Sequence, residues 1–463
     1  MNKLLYLRNS LKLTYVCYSL IILLTGIILV FLIPPFQSPD EQTHLYRAYQ
    51  LSEGHVTTKH LSYGAGDLLP KSLSDSFENY RYIIFKPDEK VSRGLIKSSL
   101  SANLNKSNVV ETRFENTATY PPLSYLPQII GICLGKILSA SPVLLLYLAR
   151  IFNLAAWVTI LFLCMKRNKR VTLPILAFAL LPVVACQASS ASADVMTSGV
   201  AIFYTLEILR LIYTRSIITK SDKLFIIIPG IILALCKPPY VILTLLSVML
   251  SHKKFESKKA SYKFKLLACV LPVIITAIWI IVAYKGFVNL KDGVNSIVQL
   301  KFILSKPFEY IAVIFNTYVS NASDGLYIQM IGQLGWLDTK LLFWNILFGF
   351  LAVILSVFAI PLKTSDNPMP KYIKLWTIAV TTFLIIAITS LLYLTWNTPR
   401  AAIIDGLQGR YFIPLIGVII IIFGGFLSLS TKQSNKVKYL VYFLSGSTII
   451  SALIIILFRY YRL

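Results

Sequence analysis

Apolar runs recur along the chain at 13–33, 143–165, 171–187, 196–213, 224–236, 239–250, 266–284, 341–362, 375–394, 411–430 and 439–458. Many approach the roughly 20 residues that an α-helix needs to cross the ~30 Å hydrocarbon core of a bilayer. The pattern predicts an all-α polytopic membrane protein with about 11 transmembrane helices, within a range of 10–13. Runs 224–236 and 239–250 are short, which fits a re-entrant or tilted pair. The run near 123–140 is ambiguous, and its opening "YPPLSYLPQ" suits a juxtamembrane helix entering at the interface. The chain then divides into the N-terminus and first span (1–33), a large polar loop (34–142), a helix bundle (143–284), a second polar segment (285–340) and the C-terminal helices (341–463).

Composition supports this reading. The chain is 56% hydrophobic and 14% charged, with mean hydropathy +0.69. A soluble protein carries about 25% charged residues. The net charge of +25 would fit a nucleic-acid partner, but the Lys and Arg cluster in short loops and no nucleic-acid-binding motif accompanies them. The bilayer is the partner that this pattern predicts, through the positive-inside rule and attraction to anionic lipid.

The same charges orient the chain. Lys3, Arg8 and Lys12 place the N-terminus in the cytoplasm. If 123–140 lies along the outer surface, "KRNKR" at 166–170 falls inside, and so do Arg215, Lys220, Lys223, "SHKKFESKKASYKFK", Lys363, Lys371, Lys374, Lys432, Lys436 and Lys438. Arg459 and Arg462 are the exceptions. Segments 34–142, 285–340 and 395–410 then lie outside. The six cysteines sit in or beside apolar runs with no C-x-x-C pair, as packing residues do. No small-residue cleavage site follows the first run, so it reads as a retained span.

Candidate chemistry begins where the first run ends, in "PPFQSPDEQTHLYRAYQL". A plain reading makes "SPDE" a capping box, with Ser38 as cap, Pro39 in the first turn and Glu41 reaching back. That reading uses Glu41 but has no need of Asp40. Spacings of four and three place Asp40, His44 and Arg47 on one helix face. Further polar residues fall on the same side of the membrane. They are Asp194 in "SSASADVMTSG", Lys237 in "CKPPY", Trp336 and Asp338 in "GQLGWLDTK", and Gln408, Arg410 and Tyr411 in "GLQGRYFIP". Singly, Asp194 can cap a helix, Lys237 and Arg410 can snorkel, and Trp336 suits an aromatic belt. Together they ring one face with acids and cations.

These segments, in this order from about 34 to 414, resemble the signature segments of a family of multi-pass bacterial membrane proteins grouped with the GT-C-fold glycosyltransferases. GT-C enzymes take a sugar from a polyprenyl-phosphate carrier and attach it to an acceptor outside the cytoplasm. Their first external loop carries an acidic pair, so the resemblance implies a catalytic Asp40. Glycosyl transfer needs a base for the acceptor hydroxyl and cations for the departing phosphate. Asp40 is then the base, with Glu41 positioning it or the acceptor. Arg410, Lys237 and Arg47 hold the donor phosphate, and His44, Asp194, Trp336, Asp338, Gln408 and Tyr411 bind substrate.

The expected reaction is an inverting transfer to a cell-envelope glycan: a polysaccharide, a teichoic-acid-like polymer or an O-antigen. The expected place is the extracytoplasmic face of a bacterial cytoplasmic membrane. No dense His or carboxylate cluster calls for an obligatory metal, although Asp40 and Glu41 could recruit a divalent cation. The lack of a G-x-G-x-x-G loop and of a soluble α/β domain argues against a nucleotide-sugar donor. Two alternatives use the same residues. A polysaccharide polymerase or ligase would place its largest external loop late in the chain, whereas here it comes first. A transporter of lipid-linked glycan would carry inverted repeats and mid-bilayer charges.

Overall fold

The computed structural model describes residues 2–214, 216–289, 291–360, 369–427 and 429–462, with 2–12 and 321–324 described by backbone alone. Arg215 and Lys363 of the basic loops lie outside the described residues, as do the side chains of Lys3, Arg8 and Lys12. Among the described residues, six helices are long and apolar enough to cross a membrane: Leu13–Leu32, Pro142–Arg167, Asp194–Tyr213, Lys258–Gly286, Lys371–Trp396 and Thr431–Tyr460. The protein is a mostly helical, polytopic membrane protein.

Prolines break some of the other apolar runs into shorter pieces. Run 171–187 bends by 90° between Lys169–Ala179 and Pro182–Ala188 and would make a seventh span. Pro182 lacks the N–H that a continuous helix needs there. The remaining apolar helices, Pro238–Met249, Ser296–Ser305, Phe343–Phe358 and Gly409–Phe423, have 10–17 residues.

The ambiguous run forms the helix Leu126–Ile137, whose 12 residues rise about 18 Å, too little to cross. It packs along Pro142–Arg167 and under Glu41–Ser52. The short pair 224–236 and 239–250 forms a helical hairpin. Lys220–Ala234 rises about 22 Å as an α-helix, and Pro238–Met249 returns about 24 Å as a 3-10 helix. The thinner helix lets 12 residues match 15. Both arms fall short of a full crossing, so the tip, Lys237, lies within the protein.

The two ends of the bundle carry different polar networks. At one end Arg167 meets Glu207 at 2.7 Å and Asp222 at 3.6 Å, and Lys254 Nζ donates to the carbonyls of Leu211 and Ile212. At the other, Arg150 binds Glu41. Seventeen residues of helix, about 25 Å, separate Arg150 from Arg167. Segment 166–170 therefore lies at the end opposite to Asp40.

Segment 34–142 folds over this second end. Beyond helices, it contains a three-stranded antiparallel sheet, Lys59–Leu61, Gly64–Pro70 and Val109–Arg113, that apolar periodicity did not foretell. Buried Asp67 ties it to the helix Glu41–Ser52 by accepting from Gln50 Nε2 at 3.0 Å, and it pairs with Lys59 at 2.9 Å. The same segment clamps the C-terminal helix. Val91 N donates to Tyr460 O at 2.9 Å and Arg459 Nη2 donates to Ile83 O at 3.0 Å, while Asp338 of the second polar segment pairs with Arg459 at 2.9 Å. Arg459 is thus buried in an ion pair, which explains why it breaks the loop-charge pattern.

Candidate functional site

The helix after the first span starts at Glu41, and its N-cap is Asp40. The predicted capping box is absent. Asp40 adopts φ 58° and ψ 13°, in the left-handed region, and its side chain makes no cap bond. The reason lies in Glu41, whose fully buried carboxylate turns inward to Arg150 in a two-pronged contact of 2.8 and 2.6 Å. Glu41 also accepts from Phe36 N at 3.1 Å and Ala191 N at 3.0 Å. Arg150 in turn donates to the carbonyls of Val30, in the last turn of the first span, and of Ile33 and Pro34 just past it. This knot fixes the start of the loop and leaves Asp40 facing the other way.

Asp40 faces a cavity of about 420 Å³. Its Oδ2 pairs with Arg410 and its Oδ1 accepts from Asn116 Nδ2 at 3.1 Å. Arg410 also donates to Pro39 O at 3.3 Å. Across the cavity Lys237 Nζ pairs with Asp194 Oδ1 at 3.0 Å and stands 4.8 Å over the Tyr411 ring and 5.3 Å over the Tyr120 ring. His44 bridges Tyr125 Oη at 2.8 Å and Ser192 Oγ at 3.2 Å. Gln408 and Tyr411 complete the polar end. The other lobe is apolar, lined by Trp279, Ile280 and Ala283 of one span and by Ile388, Leu391 and Leu392 of another.

Burial works to raise the Asp40 carboxyl, but the charge and hydrogen bond of Arg410 outweigh it and hold Asp40 below the usual carboxylate range. Burial pushes His44 down to about 4, against the pull of Asp194 and Asp40. Near neutral pH the imidazole is therefore neutral, and the polar end holds Asp40 paired with Arg410 and Asp194 paired with Lys237, while Glu115 on the rim pairs with Arg113.

Residues 23–419 match the model of the family described as "Predicted membrane protein (DUF2142)". The chain belongs to this family. No curated protein and no solved structure matches it.

In this family member the structure gathers Asp40, His44, Asp194, Lys237, Gln408, Arg410 and Tyr411 around one cavity. Four other candidates stand apart from it. Arg47 is fully buried and braces the loop, donating to Val56 O at 2.9 Å and Tyr120 O at 3.0 Å. Glu41 is held in the Arg150 knot, so the two adjacent carboxylates do not share a site. Trp336 donates from Nε1 to Phe36 O at 3.0 Å, supporting the turn before Asp40. Asp338 is spent on Arg459 and on Phe85 N at 3.2 Å.

Sequence reasoning missed Arg150, Asn116 and Tyr120. A lone arginine inside the apolar run 143–165 was a usable signal, because an ionisable group there needs a buried partner. Asn116 and Tyr120 sit in an ordinary polar stretch and carried none.

Proposed function

We propose that this protein is a GT-C-like integral-membrane glycosyltransferase that moves a sugar from a polyprenyl-phosphate carrier to a cell-envelope glycan. The observation that carries the reading is the amphipathic cavity. Two carboxylates, Asp40 and Asp194, paired with two cations, Arg410 and Lys237, stand at one end, and an apolar lobe runs between two long helices at the other. That shape suits a ligand with an anionic head and a hydrocarbon tail. The tail lies between Lys258–Gly286 and Lys371–Trp396, and the phosphate comes to Arg410 and Lys237. In this reading the shorter apolar helices also contribute to the membrane domain, giving about 11 crossings or partial crossings. The cavity faces the extracytoplasmic side of a bacterial plasma membrane.

The resting pair of Asp40 with Arg410 then has a role. An arriving phosphate competes for the guanidinium, which grips phosphate through two N–H groups. Asp40, released from its strongest counter-charge, becomes the better base. It takes the proton of the acceptor hydroxyl as that oxygen bonds to the anomeric carbon. The bond from that carbon to the phosphate oxygen breaks, and the polyprenyl phosphate leaves with the electron pair, stabilised by Arg410 and Lys237. One displacement inverts the anomeric centre.

The test is sugar transfer by purified protein given a short-chain polyprenyl-phosphate sugar and candidate acceptors. Asn keeps the size of Asp40 and tolerates the left-handed backbone, so Asp40→Asn should fold normally. It should lose about two to four orders of magnitude in rate, the usual contribution of a positioned base. Near wild-type turnover would defeat the assignment.

A further inference from the structure

Beyond Arg410, on the side away from the amphipathic cavity, lies a second and smaller cavity of about 60 Å³. Gln408 and Arg410 line both cavities. Its chemistry is different. Five glutamines line it, Gln37, Gln187, Gln329, Gln333 and Gln408, and among the described residues its only charged lining group is Arg410.

Several of these groups lack protein partners. Both amide atoms of Gln187, Oε1 of Gln37, Oε1 of Gln408 and Nε of Arg410 are shielded from solvent without a hydrogen bond to the protein. Gln37 is fully buried, and its Nε2 is held by Tyr80 O at 3.2 Å, which leaves its oxygen unmatched. Buried polar atoms are nearly always satisfied, so several orphans converging on one cavity need an explanation. Amides offer donors and acceptors together, and so do hydroxyl groups. An anion would leave the amide oxygens unmatched, and a cation would be repelled by Arg410.

We propose that this cavity is a second ligand site, taking the hydroxylated edge of a neutral sugar. The small volume admits neighbouring hydroxyls of one ring rather than a length of polymer. Its role as the acceptor subsite rests on the transferase reading above, because Arg410, which lines both cavities, brings such a hydroxylated edge beside the guanidinium that pairs with Asp40. Binding itself does not depend on that reading.

Saturation-transfer NMR of the full chain in lipid nanodiscs, with methyl hexopyranosides as probes, tests it. At least one methyl hexopyranoside should show transfer and raise the melting temperature. Gln187→Leu should weaken that binding about tenfold. It should also melt no lower than wild type without sugar, because an unmatched amide is replaced by an apolar group of similar size. Tyr63→Ser, on the exposed face of the folded loop, should leave hexoside binding unchanged. No transfer from any hexoside would mean that the cavity holds water only and would overturn the proposal. Undiminished transfer in Gln187→Leu, or a lower melting temperature for that variant, would overturn it equally. Binding of a short-chain polyprenyl phosphate is measured in parallel. If that lipid binds and no hexoside does, this inference alone fails; the converse result removes the transferase reading alone.

Discussion

Asp40 is held in a conformation that side chains seldom adopt, with its carboxylate between Arg410 and Asn116. Strain of this kind, of order 1 kcal/mol or more, persists where the surroundings dictate it. Here Glu41 and Arg150 do the dictating. The neighbouring His44 gives a second consequence at this scale. Its folded value of about 4 lies below the ordinary value of 6.5. Between those values the unfolded chain binds a proton that the folded chain refuses, so stability must fall as pH drops through that window. The loss should reach about 3 kcal/mol at full depth. Thermal melts of detergent-solubilised protein at pH 7 and pH 4.5 would check it. His44→Gln should flatten the difference, and an equal loss in wild type and variant would place the sensitivity elsewhere. The sequence motifs identified His44 and Asp40 as neighbours because helix spacing is local. They misjudged Arg47, because which way a buried guanidinium turns depends on carbonyls at Val56 and Tyr120, set by the fold of the whole loop.

Between elements, the join of the first span to the loop depends on one ion pair. Glu41 and Arg150 are both fully buried, on helices 109 residues apart in sequence. A buried pair is a weak source of net stability, but breaking it strands a charge and costs about 3–5 kcal/mol. Glu41→Ala should therefore lower the melting point sharply. The double variant Glu41→Leu with Arg150→Met should recover much of the loss, because it removes both charges. If the double variant is as unstable as the single, the pair is not the source of the defect. Element existence was legible wherever hydrophobic runs were long, as in 143–165 and 375–394. It was less legible near prolines. Pro182 turned one run through 90°, and Pro238–Pro239 opened a 3-10 arm whose length per residue no hydropathy pattern encodes. The small sheet in 34–142 was hidden because its strands are three to seven residues long and largely polar on the outer face.

For the whole molecule, the polar networks at the two ends of the bundle must lie on opposite sides of the membrane. Arg167, Glu207 and Asp222 mark one end, and Asp40, Asp194, Lys237 and Arg410 mark the other. Basic residues at 166–170 favour retention in the cytoplasm, so the Asp40 end should face out. Accessibility labelling of single cysteines in a variant lacking the six native ones decides this. Tyr63, 79% exposed on the folded loop, suits the outer probe, and exposed Lys169 suits the inner. In intact cells an impermeant maleimide should label Tyr63→Cys readily, and it should reach Lys169→Cys only after the membrane is opened. Labelling of Lys169→Cys from outside, with Tyr63→Cys protected, would invert the molecule and put the cavity on the cytoplasmic face. A soluble nucleotide-linked donor could then reach it, and the need for a lipid-carried sugar would disappear. The same pair of probes also tests Leu126–Ile137. If that 12-residue helix crossed the membrane after all, both sites would label from the same side, whichever side that is.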